Sequence, residues 1–201
     1  MRPKADVMSA FEYVMVLVSI VIALAIAHLL TALAEGIHRF RGHGEPIKLD
    51  AVFLLWVGFV LIWLVSFWWW EFKFQEIAVE WTYGLYLFII GYAIVLFMLA
   101  QILVPHRMHG VSDSYAYFME GRKWFFGTLL LVQAVDVADT FLKGYEWGMR
   151  PEVLAIYLII ALVAIIGIIS ERRSIQLGAA TVAFASQLLY LTQELGVLGS
   201  W

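Results

Sequence analysis

Two carboxylates, Asp136 and Asp139, interrupt a stretch that is otherwise apolar from the end of the run Arg122-Lys123 to Lys143. Three residues apart on a helix, they share a face, and Gln133, Thr140 and Lys143 extend that stripe by steps of three and four. A carboxylate at membrane depth is costly and normally faces a bundle interior or a wet cavity. Two of them close together titrate as a coupled pair, which suits proton uptake and release. The alternative is that the span ends earlier and both acids sit among headgroups, with Lys143 as a partner.

Other polar groups fall at comparable depth. Gln187, Tyr190 and Glu194 share one face near the end of the chain, and Glu12 opens the first apolar run. If both termini lie on the outer side, Glu12, Asp136, Asp139 and Glu194 all fall in the outer third of the membrane. They then form either one polar pocket at the mouth of a bundle or four separate interface residues. His28, with Thr31, Glu35 and His38, makes a polar stripe on the first run. A histidine near a glutamate can relay protons, although such a residue more often bonds a backbone carbonyl. The pathway residues expected are therefore Glu12, His28, Asp136, Asp139, Gln187 and Glu194.

Other chemistries find little support. With no cysteine, disulfides, thiolate catalysis and iron–sulfur ligation are excluded. A single histidine within the apolar runs excludes bis-histidine haem in a monomer. His106-Arg107-Met108-His109 has a weak metal-like spacing, but lacks a carboxylate or thiolate beside it. No metal, cofactor or enzymatic activity is expected. Trp56, Trp63 and Trp70 recur every seven residues. This strip suits a lipid-facing or packing surface with an interfacial belt, and less readily a quinone, pigment or sterol site.

The elements that must position these residues are membrane helices. In the 201 residues, 63% are hydrophobic and only 14% charged, and the mean hydropathy is +0.87. A soluble domain carries about a quarter charged residues. A net charge of −3 leaves no basic footprint for nucleic acid. A bilayer core needs roughly 20 apolar residues of helix. Runs of that kind lie at 10–35, 50–71, 81–105, 123–143, 152–170 and 174–195. They are twice the length of outer-membrane strands and lack strict alternation. The expected fold is all-α, a polytopic bundle of six transmembrane helices forming a single membrane domain over 1–201. No internal repeat supports an inverted-repeat transporter. The start MRPK and Ala32-Leu33-Ala34 imitate a secretory signal, but the run is too long and contains Glu12, so a retained first span is expected.

The thirteen Lys and Arg divide into five on the side of the N-terminus (Arg2, Lys4, Lys73, Lys143, Arg150) and eight on the other. The positive-inside rule then places both termini outside, in the periplasm of a bacterial cell. Most acids, including Glu71, Glu76, Glu80, Glu146 and Glu152, share that outer face, which attracts cations. Ser19, Ala23, Ala27 and Thr31, and again Ala179 and Ala183, recur every four residues, as in closely packed membrane helices. The runs that carry them are expected at the centre of the bundle or in an oligomer contact.

AHLLTALAEGI at 27–37, FWWWEF at 67–72 and YFMEGRKWFF at 117–126 together resemble a group of small bacterial multi-pass membrane proteins of uncharacterised function. The likeness covers roughly the first two-thirds of the chain and implies no activity. Two readings follow from the residues. The first is a channel or transporter for protons or monovalent cations, working through intramembrane carboxylates. The second is a non-enzymatic accessory subunit in a larger membrane complex. The expected partners are the lipid bilayer and either further copies of the chain or that complex.

Overall fold

Ser9 opens the first helix with a capping box: its hydroxyl accepts from the Glu12 N–H, and the Glu12 carboxylate accepts from the Ser9 N–H. The structure, a computed structural model, describes residues 9–77 and 80–194, without the side chains of Glu76 and Glu194. Eight helices follow in chain order among these residues: α1 (Ala10–Phe40), α2 (Ala51–Glu71), α3 (Lys73–Glu76), α4 (Tyr83–Leu103), α5 (Ser114–Lys143), α6 (Tyr145–Gly148), α7 (Pro151–Ile169) and α8 (Arg173–Glu194). The two four-residue helices are connectors. The other six are long and apolar enough to cross a membrane. The protein is an all-helical bundle of six such helices, embedded in a membrane by the apolar length of its helices.

α1 packs against α4, α4 against α5, α5 against α7, α7 against α8, and α8 against α2, which returns to α1. α2 also touches α4 and α5 and is the most enclosed of the six. Its buried residues, including Val52, Trp56, Phe59, Val60 and Leu64, make one broad face, and Leu54, Val65 and Trp68 lie exposed on the other side. This differs from the expected central place of the first and last spans. On α8, Ala179 and Ala183 are buried as the small-residue pattern requires, while on α1 Ala23, Ala27 and Thr31 face outward. Small size permits close approach but does not say to what.

Two helices extend past the expected spans. α1 continues to Phe40 and α5 begins at Ser114 rather than near 123. Charged residues mark where lipid ends, not where helix ends. Asp113 caps α5 by accepting from the N–H groups of Tyr115 and Ala116, at 2.8 and 3.2 Å.

One end of the bundle is tied by polar groups from three connections. Lys48 and Asp113 form a parallel bridge. Buried Asp50 caps α2 through the Val52 N–H at 2.9 Å and receives Arg173 at 2.6 Å. The Ser114 hydroxyl accepts from the Asp50 N–H at 2.8 Å. Gln176 donates to the Gly167 and Ser170 carbonyls, at 2.9 and 2.6 Å, satisfying the C-terminus of α7.

Candidate functional site

The opposite end holds a buried ionic cluster. Glu71 is the last residue of α2, and Asp139 and Lys143 stand one turn apart at the end of α5. The Lys143 ammonium donates to Glu71 at 2.7 Å and to Asp139. Its carbon-lined side is closed by the Phe74 ring, 4.9 Å from Nζ to the centroid. These side chains are 1–3% exposed. Removing charges from water is tolerable only when partners replace it, and Lys143 replaces it for two carboxylates at once.

Asp136, one turn deeper, belongs to a different set of bonds. It accepts from the Tyr92 hydroxyl of α4, which in turn accepts from Trp63 Nε1 of α2 at 3.3 Å. Tyr157 of α7 shares a 2.5 Å hydrogen bond with Thr140 and lies 3.4 Å from the Asp136 carbonyl. Gln133 Nε2 donates to the Tyr157 carbonyl at 2.5 Å. The stripe on α5 therefore engages α2, α4 and α7 in turn, which locks the register of four helices around it.

Beside these bonds lies a half-enclosed cavity of about 80 Å³ between α2, α5, α7 and α8. A single water needs roughly 10–15 Å³, so the space holds several. Its lining on α2 runs from Phe59 to Trp70, eleven steps of about 1.5 Å or about 16 Å, half a bilayer core. Asp136, Asp139, Gln133 and Gln187 supply polar groups, and Trp63, Trp70, Trp147, Tyr157 and Tyr190 supply aromatic wall. Phe59 forms the deep limit and meets Trp56 edge-on at 5.4 Å. Trp56 in turn meets Phe125 and Phe126 at 5.1 and 5.3 Å, and all three rings are fully buried. Phe126 seats directly on Gly167 of α7, where an added Cβ would lie 2.2 Å from the ring.

Among the described residues, several buried oxygens at this end accept no hydrogen bond from an N–H group: Asp139 Oδ1, Glu71 Oε2 and Gln133 Oε1. The orientation of the Gln133 amide is settled by its bond to the Tyr157 carbonyl, which requires the nitrogen. Among the described residues no group of three or more His, Asp or Glu is arranged to hold a metal ion.

Comparison of the chain with protein-family models, with curated proteins and with solved structures finds no match.

The expected pathway residues separate. Asp136, Asp139 and Gln187 meet at the cavity. Glu12 does not reach it; it caps α1 at an exposed position. His28 Nε2 lies 3.3 Å from the Val104 carbonyl, and its ring stacks on His106 at 6.2 Å, away from the acids. The Glu194 side chain lies outside the described residues. Sequence reasoning passed over Glu71, counted only among the acids of the outer face, and Tyr92, a single hydroxyl inside an apolar span. Trp63 and Trp70 turn inward to the cavity and Trp56 into the core beneath it, rather than toward lipid.

Proposed function

We propose that this chain is a small carrier for protons or monovalent cations, acting in a bacterial inner membrane with both termini on the outer face. The observation that supports it is the half-enclosed cavity of about 80 Å³ bordered by Asp136, Asp139, Gln133 and Gln187. Carboxyl groups at membrane depth beside a space that holds water favour an occupant that brings positive charge. Glu71 and Asp139 hold the Lys143 ammonium, and a third carboxyl group, Asp136, stands one turn away at the cavity, so acids outnumber the cation there.

The filled zone of Trp56, Phe125 and Phe126 below Phe59 favours a carrier over an open channel. A carrier exposes its site to one side at a time, and a cavity that stops at mid-membrane suits one such state. In this reading Asp136 and Asp139 take up the charge, and the Tyr92 and Lys143 contacts set when they do so.

The test is flux in liposomes holding the purified chain, with proton, sodium and potassium gradients imposed in turn. Saturable flux that Asp136→Asn abolishes, in a protein that keeps its fold, supports the carrier. Equal flux from that variant sinks it.

The accessory-subunit reading keeps one supporting observation, the outward stripe of Ala23, Ala27 and Thr31 on α1, which suits contact with another membrane helix. Migration of the native protein inside a much larger complex, without flux of its own, favours that reading.

A further inference from the structure

The charges of the Glu71, Asp139 and Lys143 cluster do not balance. Lys143 donates to Glu71 Oε1 and to Asp139 Oδ2, but one ammonium neutralises only one carboxylate. We propose that Glu71 and Asp139 share a single proton at neutral pH, so that a carboxylic acid, a carboxylate and an ammonium make a neutral proton-binding site where α2 meets α5.

The first support is proximity. The two carboxyls meet on one nitrogen and are in hydrogen-bond contact with each other. Two ionised carboxylates have no hydrogen to place in such a contact. Like charges held this close do not both ionise, and the pair keeps one proton between them.

The second support is the lack of any other donor. Among the described residues Lys143 alone donates to either acid. Its ammonium is engaged by one oxygen of each and by the Phe74 ring, 4.9 Å away. Glu71 Oε2 and Asp139 Oδ1 accept from no N–H group. The two residues are 0% and 2% exposed, so bulk water does not serve them. A shared proton turns one carboxyl into a donor and lets the other accept.

The third support is the surroundings. The titratable groups that face the cluster are Asp136 of α5, held by the Tyr92 hydroxyl of α4, and Tyr157 of α7, which bonds Thr140. Tyr190 of α8 borders the adjoining cavity, and Lys73 of α3 places its ammonium 4.5 Å from the Trp147 ring centroid. Asp136 adds a further acid. Asp139 and Lys143 belong to the cavity wall, which gives a proton its way in. Uptake is an addition: a proton from cavity water joins one carboxylate, no bond in the chain breaks, and the cluster loses its one net negative charge.

This inference goes beyond the carrier reading, since it needs a bound proton and no flux. The test is infrared spectroscopy of the full chain in nanodiscs at about pH 7, where exposed carboxyls are ionised. The carbonyl stretch of a protonated carboxyl, recognised by its shift in heavy water, should be present. Glu71→Gln and Asp139→Asn should each abolish it, because the new amide N–H donates in the proton's place and the remaining acid stays a carboxylate beside Lys143. Both variants keep the shape of the side chain and should melt near the wild-type temperature; if one proves unstable, the other still decides. Asp136→Asn should keep the band. No such band in the wild type, a band that survives in a folded Glu71→Gln or Asp139→Asn protein, or one lost in Asp136→Asn would overturn the inference. The two proposals fail separately: the band without flux keeps the shared proton and removes the carrier, while flux without the band does the reverse.

Discussion

Lys143 at the end of α5 reaches Glu71 at the end of α2 across 2.7 Å, with both side chains 1% exposed. The contact joins two helices 72 residues apart in sequence, and it gives Glu71, the acid that closes a Trp-rich run, a reason to be buried.

Lys143→Met should be among the most damaging single changes in the chain. It leaves Glu71 and Asp139 buried without their shared cation, a loss on the order of 3–5 kcal/mol. The triple variant Lys143→Met, Glu71→Gln, Asp139→Asn should recover much of that. Thermal unfolding in detergent compares the two, and a triple variant no better than the single one would assign the loss to packing instead.

Tyr92→Phe keeps the ring and removes the hydroxyl between Trp63 and Asp136. Its stability should fall by about 1 kcal/mol, while flux in liposomes changes severalfold, because the Asp136 carboxylate then faces the cavity without its donor. Unaltered flux at every gradient would remove Tyr92 from the working site.

Gly167→Ala sets a methyl group against the Phe126 ring at 2.2 Å and should cost about 1–3 kcal/mol. Adding Phe126→Leu should relieve most of it. By contrast, an added Cβ at Gly91 of α4 meets nothing within 4 Å, so Gly91→Ala should be neutral or stabilising by up to about 1 kcal/mol through helix propensity. The pair of melting temperatures distinguishes a close approach from a merely small residue.

Asp113 lies outside the membrane-spanning helices. Burial works against its charge, but the N–H groups of Ala116 and Tyr115 and the Lys48 ammonium outweigh it and hold the carboxyl below its ordinary value of 3.8. Because the folded value is the lower one, the stability gained from the cap is complete above the ordinary value and is lost as pH falls through the depressed one. Asp113→Asn should flatten the acid limb of the stability profile, and an unchanged limb would assign it to other acids.

The helices were legible because lipid leaves a plain mark: long runs without charge, interrupted where water returns. The pairing of Asp136 with Asp139 on one face was legible too, since spacing along a helix fixes direction. What spacing does not carry is the identity of the facing helix. Asp139 joins Lys143 on its own helix and through it Glu71 of α2, while Asp136 turns to Tyr92 of α4, although the two acids stand one turn apart. Glu71 was counted among the acids of the outer face because a charge at the end of an apolar run looks the same whether it meets water or a lysine. The Trp56, Trp63 and Trp70 strip was ambiguous for a related reason. Heptad spacing sets one side of α2 apart but cannot tell lipid from a neighbouring helix, and in this bundle that side meets the core and the cavity.

The order of helices around the bundle has a consequence for biosynthesis. α8 completes the ring by settling between α7 and α2, and it brings Arg173 to Asp50 and Gln187 to the cavity. Until that hairpin has left the ribosome and entered the bilayer, Asp50 waits without its guanidinium and the cavity lacks a wall. The cavity acids Asp136 and Asp139 therefore precede the wall that α8 supplies, and a chaperone or insertase acting in that interval would shield α2 and α7, the two helices that α8 comes to cover.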